Sequence, residues 1–118
     1  MNYSEAVQEI TEVIPDFENE LIKSTQQNPY SVIRNFTERI KSMVRQNDRN
    51  ILFKSLQKMD KIYTNGDTDL KNAIEGTFVY SLDNFTVFCS REYRTMIFSH
   101  LSKELRQMYS RQIYSHGN

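Results

Sequence analysis

Apolar residues recur every three or four positions along most of the chain, the spacing of one face of an α-helix, and predict an all-α protein. Tyr3, Val7, Ile10 and Val13/Ile14 open the pattern. Pro15 then either starts a new helix or kinks this one, with Phe17, Leu21 and Ile22 continuing the apolar face. Asn28-Pro29 predicts a helix start, an N-cap followed by a proline whose missing N–H has no partner to lose in the first turn. From there Tyr30, Ile33, Phe36, Ile40, Met43 and Val44 form one stripe. At about 100° per residue, Arg34, Glu38, Lys41 and Arg45 fall together on the opposite side. After Asn47-Asp48 the stripe resumes with Leu52, Phe53, Leu56, Met59 and Tyr63, while Lys54, Lys58 and Lys61 occupy the far face.

The stretch IYTNGDTDLKNAIEGTFVYSL, residues 62–82, sets polar turn residues directly before the richest apolar run. Gly66 sits where a helix C-cap wants a residue tolerating positive φ. Asp67 sits where the next helix wants a side-chain oxygen for its unpaired backbone N–H groups. Asn65-Gly66-Asp67 therefore reads as a helix-to-helix corner, and as an anion site only second, since Asp67 would repel the anion. Leu70, Ile74, Phe78 and Leu82 make one face of the following helix, and Ala73, Gly76 and Tyr80 another side of small residues plus one aromatic. That predicts a central buried helix over about 67–83, with Gly76 admitting a close neighbour despite a helix cost of about 1 kcal/mol. DNFTVFC follows as a short connection packing Phe85 and Phe88 on the core. Ser90 caps the last helix, whose stripe is Tyr93, Ile97, Leu101, Leu105 and Met108, and residues 110–118 are expected to fray.

Three glycines and two prolines in 118 residues leave little turn chemistry for a sheet protein. The expected architecture is a single antiparallel bundle of five to six helices, one domain over 1–118, with 1–27 a kinked helix or a separate helix pair. A hydrophobic fraction of 38%, with seven Tyr and seven Phe, supplies a core, so the chain should fold alone or as a small homo-oligomer. Cys89 is the single cysteine, which forbids an internal disulfide. The N-terminus lacks the basic start and apolar run of a signal peptide, and no stretch approaches the roughly 18 apolar residues of a membrane span. These features predict a cytoplasmic protein without membrane contact.

Charge changes the picture more through its order than its sum. Fifteen basic and fifteen acidic residues cancel, so there is no bulk attraction to nucleic acid or anionic lipid. Yet residues 1–28 carry a net of −5, 29–61 a net of +5, 62–90 a net of −3 and 91–118 a net of +3. Alternating blocks predict helices that neutralise one another across their packing, or a bipolar surface.

Candidate chemistry is sparse. Two histidines, one cysteine and no Gly-rich phosphate loop leave the common nucleophilic, metal and nucleotide motifs unfilled. No catalytic residue, metal or cofactor is therefore expected. His100 and Glu104, four apart on the last helix, are expected to point to one side, with Glu104 inside the apolar stripe. They read as a stripe-edge pair that snorkels outward or meets Arg111, and alternatively as a polar cleft or recognition point. Asp60, between Leu56 and Tyr63, has the same status. Lys54, Lys58 and Lys61, joined by Arg45 and Arg49, read first as a solvated face, then as a surface for an acidic protein partner, and last as a nucleic-acid surface.

The segment NGDTDLKNAIEGTFVYSL, preceded by a Leu/Lys/Met-rich helix and followed by a shorter one, resembles a family of small uncharacterised bacterial all-helical domains. They share a Gly-Asp corner before an Ala-Ile-Glu helix, and some resemble cytoplasmic immunity-type proteins near toxin genes. The resemblance covers about 60 residues in the middle and end of the chain and leaves 1–28 unanchored. It implies no catalytic residue. The expected function is a non-enzymatic protein-interaction module, immunity-like in occluding a protein partner; the alternatives are a nucleic-acid-associated regulator using 34–61 and the basic last helix, and lastly an enzyme using His100 and Glu104.

Overall fold

A computed structural model describes residues 1–23 and 27–116, the side chains of the last two excepted. It is all-α, with no strand among the described residues. Seven helices follow one another there: α1 (Tyr3–Val13), α2 (Phe17–Ile22), α3 (Pro29–Gln46), α4 (Arg49–Asn65), α5 (68–86), α6 (Arg91–Ser99) and α7 (Lys103–His116). They fill an envelope of 36 × 30 × 23 Å.

Each boundary has a local cause. Asn2 and Glu5 form a reciprocal capping box at the start of α1, which stops at Ile14 so that Pro15 lies in a turn and α2 starts afresh. Asn28 Oδ1 accepts from Ser31 N at 2.9 Å, with Pro29 in the first turn of α3 as expected. Asn47, at φ 57°, ends α3 in the left-handed conformation, where a short polar side chain is tolerated. Asp67 Oδ1 caps α5 by accepting from Leu70 N at 3.0 Å.

Gly66 is a correction. Its φ is −71° and ψ 156°, an extended conformation open to any residue. What requires glycine is proximity: a Cβ here would stand 2.4 Å from the Ile62 carbonyl oxygen and 3.0 Å from Leu70 Cβ. The corner also receives the start of the chain, since Asp67 N donates to the Met1 carbonyl at 2.9 Å.

α5 runs through three registers: α over Thr68–Ala73, π over Ile74–Val79, and α again over Tyr80–Thr86. In an unbroken α-helix, Val79 would lie about 180° from Leu70 and Thr86 about 160° away. The i→i+5 turn rotates less per residue. Val79, Leu82 and Thr86 thereby join Leu70, Ala73, Ile74 and Phe78 on the buried side. The predicted second buried side does not form. Gly76 is exposed with nothing within 4 Å of a Cβ built on it, and Tyr80 is exposed too.

α3 packs against α1, α2, α4 and α5 and is the central element together with α5. Phe36 of α3 meets Phe17 of α2 edge-on, ring centroids 6.1 Å apart. Each such fully buried ring adds roughly 1.5 to 3 kcal/mol over an exposed one. Val32, Ile33, Ile40, Leu52, Leu56, Met59 and Ile62 complete the seam, whereas Tyr30, assigned to the stripe, is half exposed.

Three further corrections concern the C-terminal third. α5 stays helical through Thr86 and the next residues turn outward, so Phe88, expected on the core, is 96% exposed. The single last helix is in fact two. Ser102 Oγ accepts from Leu105 N at 3.2 Å, and Ser102 N donates to Asp60 Oδ2 of α4 at 2.9 Å, so a new helix starts where the apolar stripe would have continued. The stretch expected to fray is helical to His116, with Gln112 Nε2 donating to the Glu75 carbonyl at 2.8 Å; residues 117–118 lie outside the described residues.

Candidate functional site

The lysine stripe is divided by its neighbours. Lys58 reaches across to α1, 2.6 Å from Glu9 Oε2 and in contact with Glu12, and Lys61 lies 2.6 Å from Glu9 Oε1. Hydrogen bonds from Lys58 and then Lys61 hold the Glu9 carboxyl below the usual glutamate range. Burial pulls the Lys58 ammonium down, but the hydrogen bonds to Glu12 and Glu9 outweigh it and its pKa is raised. Lys54 stays exposed at the edge of this network. The negative first block and the positive second block thus neutralise each other across the α1–α4 seam. Arg39 repeats the arrangement with Asp16 and Glu20, and Arg94 with Asp83.

His100 and Glu104 are not brought together on one helix, because the α6–α7 break falls between them. His100 stacks on Phe53, with ring centroids 3.9 Å apart and planes 7° from parallel, and its Nδ1 lies 2.9 Å from the Met96 carbonyl. Glu104 is exposed in the first turn of α7. Asp60 proves to be a structural acceptor for the α6–α7 corner. Burial raises its pKa, and its Oδ1 is buried without a hydrogen-bond partner. Burial and then the hydrogen bond to Glu75, at 2.6 Å, push the Tyr63 hydroxyl up to about 12.

A different surface combines exposure, shape and charge. A groove of about 450 Å³ lies between the α3–α4 corner and the α5–α6 corner, with Val44, Phe85 and Tyr93 among its apolar walls. Phe88 stands at its edge, exposed beside Val87 at 62%. Arg45 and Arg49 flank it, and neither forms an ion pair among the described residues. Arg49 is nonetheless held in place. Its guanidinium carbon is 4.7 Å from the Tyr93 ring centroid, and its Nε donates to Asn47 Oδ1 at 2.9 Å. The left-handed turn at Asn47 aims that side chain. Tyr93 is itself buried beside Val44, which raises its hydroxyl pKa. Cys89 is half-buried in the same wall, and burial raises its thiol pKa while Arg94 works against the rise. Among the described residues, no group of three or more His, Cys, Asp or Glu side chains is placed to hold a metal ion.

Sequence reasoning assigned Arg45 and Arg49 to the lysine stripe and Phe88 to the core, so it did not bring them together. The available signal was Val87-Phe88, an adjacent apolar pair between the end of the α5 stripe and the helix cap at Ser90. Among the described residues, no helix is long and apolar enough to cross a membrane.

Residues 7–115 match a family described as a domain of unknown function, DUF7674, and the chain belongs to that family. No curated protein and no solved structure matches it.

Proposed function

We propose that this member of the family is a non-enzymatic protein-interaction module that docks a partner through the groove edged by Phe88. The observation that carries the reading is a phenylalanine at 96% exposure beside a preformed, largely apolar groove. Leaving such a ring in water forgoes roughly 2 kcal/mol of burial, which a partner surface would recover. Aromatic residues at the centre of an interface dominate its energetics, and those at the rim exclude water. An immunity-like role follows naturally, since a rigid convex ring beside a groove can occlude a complementary partner surface without performing chemistry.

The test is selection of binders from a randomised displayed-peptide library on the intact protein, followed by rebinding to Phe88→Ser. Binders that lose about tenfold or more in affinity to the variant support the reading. No binders, or binders indifferent to Phe88→Ser, overturn it. Thermal unfolding of the variant should be unchanged, since the ring is already in water.

A second reading is favoured by one observation. Lys103, Arg106 and Arg111 line an open basic depression of about 430 Å³ on α7, as a nucleic-acid-associated regulator would use. A gel shift with random-sequence duplex that weakens steeply between low and high salt, and is lost in Arg106→Ala/Arg111→Ala, would favour it over protein docking.

A further inference from the structure

From the groove between the α3–α4 and α5–α6 corners, we infer that the docked partner presents an acidic segment with an apolar anchor, whose carboxylate is read by Arg49 and Arg45 while the anchor packs against Phe88 and Phe85. This rests on the docking reading above and adds the chemistry of the partner.

Some cations of this chain are neutralised internally and others are not. Lys58, Lys61, Arg39 and Arg94 each pair with a carboxylate of the chain itself. Arg45 and Arg49 are among those that form no ion pair with the described residues: Arg45 meets the Ser42 hydroxyl, at 3.3 Å, and Arg49 the Asn47 amide oxygen and the Met96 sulfur. Arg49 is also the better prepared of the two. Its guanidinium lies over the Tyr93 ring and is tied at Nε, so little side-chain freedom remains to be lost when an anion arrives. A planar fork fixed in this way suits a carboxylate, which can accept two parallel N–H bonds from it.

The same groove carries the apolar half of the requirement. Phe85 packs against the core through Phe78, with ring centroids 6.1 Å apart, so the inner wall is rigid, while Phe88 outside it is almost wholly solvated. An apolar anchor seated there would bury both sides of a short hydrophobic cleft, with the two arginines at its margin. Asp48 is close enough to act on the same Tyr93, so its charge works against a carboxylate brought up beside it. The volume, about 450 Å³, accommodates a few side chains, so the recognised element is a short segment, not a domain face.

The test reads composition. A randomised displayed-peptide library is selected in parallel on the wild type and on Arg45→Glu/Arg49→Glu, both exposed positions whose reversal leaves the core untouched. The expected result is enrichment of Asp or Glu next to an aromatic or large aliphatic residue on the wild type, changing to Lys or Arg enrichment on the reversed variant. Arg49→Lys, which keeps the charge and loses the planar fork, should keep the acidic preference and bind about tenfold more weakly. Binders that depend on Phe88 yet show no acidic enrichment, or keep it on the reversed variant, overturn this inference and leave the docking reading standing. Failure to enrich any binder defeats the docking reading and this inference with it. Concentration-dependent self-association of the wild type in sedimentation, abolished by Phe88→Ser, would identify a second copy as the occupant and overturn the inference of a separate partner.

Discussion

His100 lies flat against Phe53, their rings 3.9 Å apart and nearly parallel, and this stack rather than any contact with Glu104 fixes the imidazole. The stack joins the end of α6 to the second turn of α4, the same helix whose Asp60 receives the backbone N–H of Ser102. The α6–α7 corner is thus held on α4 at two points.

Because the two side chains lie on opposite sides of that corner, His100→Leu and Glu104→Leu should change stability independently. We expect the double variant's change in unfolding free energy to equal the sum of the singles within about 0.5 kcal/mol. Glu104→Leu alone should stay within about 0.5 kcal/mol of wild type, as befits an exposed carboxylate. A coupling above about 1 kcal/mol in urea unfolding would contradict the separation.

Two glycines should respond in opposite directions. Gly66→Ala drives a Cβ against the Ile62 carbonyl and should cost about 1 to 3 kcal/mol, although the backbone conformation itself suits alanine. Gly76→Ala places its methyl in open space and should stabilise by roughly 0.5 to 1 kcal/mol. Denaturant midpoints of the two variants provide the comparison.

Asp60 predicts a stability that falls with rising pH in one window. A carboxyl whose folded pKa is raised holds its proton in the folded chain after the unfolded chain has lost it, so stability declines from the ordinary aspartate range up through the raised value. Asp60→Asn keeps an oxygen to accept from Ser102 N and carries no charge. It should remove that decline and be equal to wild type or about 1 kcal/mol more stable at neutral pH. Thermal midpoints across the acid range check the sign.

Glu9 predicts the opposite slope. Its folded pKa is lowered by Lys58 and Lys61, so its contribution is present above the ordinary glutamate range and is lost as pH falls through the folded value. Glu9→Gln should cost about 0.5 to 1 kcal/mol at neutral pH, shrinking with added salt, and nothing in strong acid. Adding Lys58→Met to this variant should deepen the loss, because Lys58 still pairs with Glu12 after the first change.

The helices were legible wherever their causes are local. Asn28-Pro29 and Asp67 cap as their chemistry dictates, and the alternating charge blocks do neutralise one another across α1 and α4. The break at Ser102 escaped detection because its decisive partner is Asp60, 42 residues away in sequence. Gly66 was recognised as a corner for the wrong reason, since the approach of Ile62 and Leu70 is a tertiary fact. Phe88 was placed inside because hydrophobicity reports what a side chain favours, whereas its position after a helix end leaves it no surface of its own chain to cover. The groove site fails the same way: Arg45, Arg49, Phe88 and Tyr93 meet only once two corners are folded together.

The wide turn of α5 decouples chain length from side-chain direction within a helix. Leu70, Ile74, Phe78 and Leu82 keep a spacing of four that a straight α-helix would carry off the core by about 40° at each step, and the π register absorbs the drift. Removing one residue at Gly76, whose side faces solvent, would take the surplus residue out of that turn and return it to the α register, leaving the helix beyond it close to its present bearing. Removing one from the α register over Thr68–Ala73 would instead turn everything beyond it by about 100°, Phe88 included. The bearing of the exposed ring therefore tolerates a single-codon deletion at one point of the helix and is re-aimed by the same deletion a few positions earlier.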